Sequence, residues 1–208
     1  MPELWIPSGT GHSDFTVRKS RFIGEARKVS SADEARFRVK ELRLEHPRSR
    51  HVAWAYILGN DGALRGMSDD GEPRGTAGRP IMDPIKGNSL TDTLVTVVRY
   101  FGGIKLGTGG LTSAYGKCSQ EALAVMPRIR LVERIRVELG IEYSLYEPVV
   151  RLIRESGGRI VKELFESGVM VVVNLPVSML EEFRRNVNNL SRGAVQFEVN
   201  KKGERDGT

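Results

Sequence analysis

One run constrains this chain more than any other: Val95 to Gly116, VTVVRYFGGIKLGTGGLTSAYG. The valine-rich stretch from Leu94 to Val98 reads as a strand. A loop carrying Gly102, Gly103, Gly107, Gly109 and Gly110 follows. A helix is predicted from Leu111 to Met126, closed by Pro127. Strand, glycines and helix in that order let backbone N–H groups come close to a ligand. A second run, Ser68 to Pro80 (SDDGEPRGTAGRP), places Asp69, Asp70 and Glu72 among Arg74, Arg79 and three glycines. Neither run has the apolar content of a core, and both are candidate functional segments.

The rest of the chain alternates strand and helix signals. Residues 1–14 are polar and glycine-containing and are expected to be a loosely held arm. Phe15 to Val29 alternates like one or two strands. Ser31 and Glu34 form a capping box, ahead of Ala35, Val39 and Leu42 on one helical face, and Pro47 stops that helix. His51 to Leu58 reads as a buried strand, Asn60-Asp61-Gly62 as a turn, and Ala63 to Met67 as a returning strand. Ile81 to Lys86 is expected to be a short helix limited by Pro84.

Arg134 to Tyr143 alternates apolar with charged residues, as a half-exposed strand does. Ser144 to Glu147 and Ser178 to Glu181 read as two further capping boxes. Each opens a helix, ended by Gly157-Gly158 and by Gly193. Strands are predicted over 159–165, 169–175 and 195–199, with 201–208 a polar tail. The order β-α-β-β-α-β is the split βαβ of ferredoxin-like folds. The fold class read here is α+β in two domains, 1–130 and 131–208.

Composition narrows the partners. The net charge of +6 permits nucleic-acid binding without demanding it. No apolar run approaches the ~20 residues that span a bilayer, so no membrane partner is expected. The first residues, MPELWIPSGTGHSDF, do not read as a signal peptide. Cys118 is the single cysteine, which excludes an intrachain disulfide and fits a cytoplasmic location.

SDDGEPRGTAGRPI at 68–81 and VVRYFGGIKLGTGGLTSAYG at 97–116 resemble the signature of the IMPACT family, in its bacterial YigZ-like branch. HVAWAY at 51–56 is similar to that family's histidine-plus-aromatic strand, with Val52 and Ala53 as small departures. The resemblance implies an N-terminal domain like those of ribosomal proteins, elongation factor G domain IV and GHMP kinases. It implies a C-terminal ferredoxin-like domain similar to elongation factor G domain V. Eukaryotic relatives regulate translation initiation under amino-acid starvation and carry an additional RWD domain. The implied role is translation regulation, with RNA, the ribosome or a regulatory protein as partner.

The chemistry of the two runs admits more than one reading. Amides from Gly107, Gly109 and Gly110 can cradle phosphate at a helix start, with Lys105 adding charge; equally, the glycines serve tight packing. The run is not a P-loop, because no Lys-Ser or Lys-Thr follows at the needed spacing. Asp69, Asp70 and Glu72 suit a hard cation, but the interleaving of both signs favours ion pairs with Arg74, Arg79 and Arg99 that fix the two loops together. Arg74, Arg79, Lys86, Arg99, Lys105 and Lys117, edged by Tyr100, Phe101 and Tyr115, suit RNA phosphates and bases, or a solvated rim. His12, His46 and His51 have no metal-ligand spacing, and neither Cys118 nor Ser113 has a visible base partner. The reading is therefore an RNA- or ribosome-binding surface with no catalytic residue, metal or cofactor. The alternatives are an enzyme holding a phosphorylated small molecule or nucleotide in the glycine loop, or a protein–protein regulator.

Overall fold

The structure is a computed structural model that describes residues 3–59, 62–200 and 205–207. The chain divides into two compact units, Met1–Leu131 and Val132–Asp206. The fold class is α+β.

The first unit is built on five antiparallel strands in the order β2-β3-β6-β4-β5. These are β2 (Gly11–Val17), β3 (Ser20–Lys28), β4 (His51–Leu58), β5 (Leu64–Ser68) and β6 (Thr93–Tyr100). Helices α2 (Gly78–Gly87) and α3 (Gly107–Val125) share a core with Phe22, Ala53, Ala55, Ile57, Val95 and Val97. Helix α1 (Ala32–Glu45) belongs with the other parity, Val52, Tyr56, Leu58, Leu94 and Val98. Strand β6 is thus covered on both faces, which is why it reads as a nearly unbroken apolar run.

Helix α1 starts where its capping signal lies. The Ser31 hydroxyl accepts from the Glu34 N–H at 3.1 Å, and the Glu34 carboxylate accepts from the Ser30 N–H at 2.7 Å. Arg38 docks the helix onto β3 with a two-bond fork to Glu25, at 2.8 and 2.7 Å. Burial pushes the Glu25 carboxyl up, but the hydrogen bonds and charge of Arg38 outweigh it and hold it below its ordinary value.

Several expectations need correction. The described part of the expected arm, residues 3–14, is not loose: β1 (Trp5–Pro7) pairs with Arg128–Arg130, and β2 pairs along its whole length with β3. Gly11 makes this possible, since a Cβ there would lie 2.1 Å from the Ala122 carbonyl oxygen. The β2–β3 hairpin turns on Arg18 and Lys19, both left-handed, a turn without glycine that leaves no sequence signal. Helix α3 begins within the glycines, at Gly107 rather than Leu111. Asn60 and Asp61 of the expected turn lie outside the described residues.

In the second unit, strand β7 (Arg128–Ile141) pairs with β9 (Val169–Pro176) and β10 (Gln196–Asn200), and β8 (Arg159–Phe165) pairs with β9. The order β10-β7-β9-β8 is that of a ferredoxin-like sheet. Helices α4 (Tyr146–Glu155) and α5 (Leu180–Ser191) cover it through a core that includes Leu139, Ile153, Val171, Phe183 and Val187. The capping boxes expected at Ser144 and Ser178 do not form. A 3₁₀ turn precedes each helix, so Leu145 and Met179 already have helical dihedrals and no side chain caps either helix. The polar tail contains a short strand, β11 (Arg205–Gly207), that pairs with β7.

The second unit has its own continuous core, so residues 132–208 expressed alone are expected to unfold in one cooperative thermal transition. A fragment lacking dispersed amide shifts by NMR would contradict this.

Candidate functional site

The two unusual runs meet at the end of β6. Strand β6 delivers Arg99, which is 5 % exposed, among apolar side chains. The only way to hold a cation there is to pair it. Its Nη1 donates to Oε1 of Glu72 at 2.7 Å, and the Tyr115 hydroxyl of α3 donates to the same oxygen at 2.8 Å. The guanidinium also lies 5.5 Å from the ring centroids of Phe22 and Phe101. Burial beside the Glu72 carboxylate pushes the Tyr115 hydroxyl well above its ordinary pKa. Tyr115 therefore stays protonated and donates.

The acidic loop is tied down at two more points. Asp69 accepts from the N–H groups of Gly75, Ala77 and Gly78 at 2.8, 3.0 and 2.8 Å. The latter two open α2, so Asp69 caps that helix from eight residues upstream, and its charge suits the helix dipole. Burial pushes its carboxyl up, but the three amides and the nearby Arg74 charge hold it below its ordinary value. Asp70 is left-handed, at φ 47°. Its carboxylate takes the Val52 N–H at 2.5 Å and a bond from Arg43, while its carbonyl oxygen faces Nδ1 of His51 at 2.7 Å. A carbonyl oxygen only accepts, so Nδ1 of His51 donates to it, and Nε2 of the same ring lies 3.9 Å from Glu72.

On the other side, Gly102 passes against the β2–β3 turn. A Cβ there would lie 2.0 Å from the Lys19 carbonyl carbon, so no other residue fits, and its N–H donates to Ser20 at 3.2 Å. The chain then emerges through Phe101, Ile104 and Lys105, all exposed, into α3. Gly107 and Gly109 are exposed and Gly110 is half-buried. No side chain caps α3, and its first turn has no acid.

The basic residues named from the sequence are not all in one place. Arg74 and Lys105 are exposed on the two loops. Arg99 is buried and bonded to Glu72, so it braces the loops and offers nothing to a strand outside. Arg79 and Lys86 line a groove between α2 and β5. Lys117 lies 4.7 Å over the Phe15 ring on β2 and 3.7 Å from Glu121. Tyr115 is fully buried and edges no surface, and Tyr100 bonds His46 at 2.9 Å. The site also uses His51, Ser20 and Arg43, whose roles depend on partners distant in sequence. A buried arginine inside an apolar strand was the available signal, since it requires an acidic partner. Cys118 is buried, its thiol pushed up to about 12 by burial, which makes it a poor nucleophile at neutral pH. Among the described residues, no group of three or more His, Cys, Asp or Glu side chains is placed to hold a metal ion.

Removing the Asp69 carboxylate would strand three N–H groups, so Asp69→Ala is expected to cost about 1–3 kcal/mol by denaturant unfolding at neutral pH. Because the folded pKa is depressed, this contribution is present above the unfolded value and lost as pH falls through the folded one. The gap between wild type and variant should shrink below about pH 4. Equal stability at pH 7 would contradict the capping role.

The sequence matches the Impact N-terminal domain profile over residues 18–123 and a domain of unknown function, DUF1949, over 139–194. It is 32% identical to an IMPACT family member of Haemophilus influenzae, covering 98% of this chain and 100% of that protein. It is 36% identical to the IMPACT family member YigZ of Escherichia coli, covering 94% and 97%. A crystal structure described as that of a hypothetical protein superposes with a TM-score of 0.66 at 32% identity, covering 97% of this chain and 99% of that one. With both runs and the full length of the chain accounted for, the chain belongs to the IMPACT family.

Proposed function

We propose that the chain is a translation-associated regulator that binds RNA, free or within the ribosome, at the rim where the two runs meet, without catalysis. The observation that carries this reading is the direction of the charges. Asp69, Asp70 and Glu72 spend their carboxylates on backbone N–H groups, Arg43, Arg99 and Tyr115. Arg74 and Lys105 stay on the outside. Just after Lys105, α3 opens on Gly107, Gly109 and Gly110 with no capping side chain, and there is open space where Cβ atoms of Gly103, Gly107 and Gly109 would sit. Uncapped helix-start amides and flanking cations suit phosphate oxygens, and exposed Phe101 offers a face for a base. The family's eukaryotic members, which regulate translation, support the same direction.

The same amides would also suit a phosphorylated small molecule, as an enzyme of the alternative reading would need. Length separates the two: RNA affinity rises with strand length, whereas a small-molecule site is saturated by a mononucleotide.

Binding of a fluorescent single-stranded oligouridylate is the test. Its affinity should fall with salt, at a log–log slope of roughly −0.7 per phosphate contact. Lys105→Ala, shown to be folded by a thermal melt, should weaken binding and flatten the slope by about one contact. Base preference should not change, because a lysine on a phosphate positions the strand without reading it. An unchanged slope would remove Lys105 from the path, and no binding at low salt would overturn the RNA reading.

A further inference from the structure

The first unit has a second surface with a different chemistry. Strand β5 ends the sheet: among the described residues, it pairs with β4 on one side and with no strand on the other. Every second residue of such an edge points its N–H and C=O outward, as a template for another extended chain. Beside this edge runs a groove of about 340 Å³, lined by Arg65, Gly66, Met67, Arg79, Met82, Asp83 and Lys86. The register explains why these residues share it. Arg65 and Met67 pair across the sheet with Ile57 and Ala55, whose side chains belong to the core shared with α2. Arg65 and Met67 therefore stand on the α2 side, opposite Arg79, Met82, Asp83 and Lys86.

We propose that this groove binds an acidic peptide segment in extended form, which adds to the sheet along β5. Three features of the groove fit that occupant. First, the walls carry three cations, Arg65, Arg79 and Lys86, against one acid, Asp83. Asp83 reaches Arg79 only at 3.9 Å, with both side chains well exposed, so that pair offers little competition. Arg65 is steadied by a 2.7 Å bond from its Nε to the Gly62 carbonyl oxygen. Second, the floor holds Met82 and the Met67 side chain, and Met67 is 56% exposed; methionine adapts to varied apolar side chains. A strand that alternates acidic and apolar residues would place its apolar side chains on this floor.

Third, the reach is defined. The start of α2 closes the groove at Ser68, whose backbone lies about 3.1 Å from where a Gly78 Cβ would stand. The free edge is Leu64 to Met67. The lining contains no aromatic ring on which a nucleic-acid base could stack, and an edge of peptide groups matches a peptide ladder rather than a sugar–phosphate chain. This favours a peptide over RNA at this surface, which is separate from the rim at Lys105.

The test uses the full chain and a fluorescein-labelled alternating Glu-Val peptide of about eight residues, long enough to cover a strand. Saturable binding is expected, with amide shift changes in Leu64–Met67 by NMR. The double variant Arg79→Glu, Lys86→Glu, both at exposed positions, should weaken it by about ten-fold, the scale of two exposed ion pairs turned to repulsions. The same peptide N-methylated at alternate residues should lose binding, because its ladder is blocked. Lys105→Ala should leave peptide binding unchanged, which keeps this result independent of the RNA reading. The proposal is overturned by no saturable binding up to about 1 mM. Equal binding of the N-methylated peptide, or displacement of the Glu-Val peptide from this groove by oligouridylate, would also overturn it.

Discussion

The first unit depends on one buried ion pair. Arg99 sits in a strand covered on both faces, where an uncompensated cation would cost several kcal/mol. Glu72 reaches it from a loop 27 residues earlier in the chain, and Tyr115 from the following helix shares the same carboxylate oxygen. Three segments distant in sequence are thus held to one point by the need to satisfy one charge. The neighbouring acids follow the same logic. Asp69 closes the start of α2, and Asp70 ties the loop to β4 and α1. The net result is electrostatic sorting, with carboxylates turned inward and Arg74 and Lys105 left facing water.

Much of this architecture was legible because it rests on local pattern. The Ser31 capping box, the Ala35-Val39-Leu42 face and the strand alternation of 135–141 each carry a periodic signal, and each appears in the structure. The parts that were not legible depend on distant partners. Asp69 caps a helix from eight residues away, and no local motif encodes that. The sequences at Ser144 and Ser178 carry the capping pattern, yet a 3₁₀ turn places those serines before the helix proper. The first residues look polar and loose, but β2 is held by backbone pairing and by the close approach of Gly11 to α3. Tyr115 reads as a surface group beside glycines, and Arg99 reads both as a surface cation and as a partner for the acidic loop, of which the pairing holds. Only the doubly buried character of β6 shows that a charge within it must turn inward.

The glycine loop leads into α3, which packs on β2 and β3, whereas the β5 edge lies beside α2, which packs on β4 and β5. Under the two proposals, the glycine loop offers amide groups and cations to phosphate, and the β5 edge offers backbone groups and cations to an acidic peptide. Both chemistries arise from the same sheet, because its loops and its edge are the places where backbone groups remain unpaired.

The central claim is that the two runs are joined through Glu72 and Arg99, and a double-mutant cycle tests it most directly. Glu72→Gln and Arg99→Leu should each destabilise the chain by about 3–5 kcal/mol, because each leaves a buried charge without its partner. If the pair is the joint, the double variant costs no more than either single change, so the coupling energy is about 3–5 kcal/mol, the size of one single loss. Losses that simply add would show that the two residues act independently and would contradict the account.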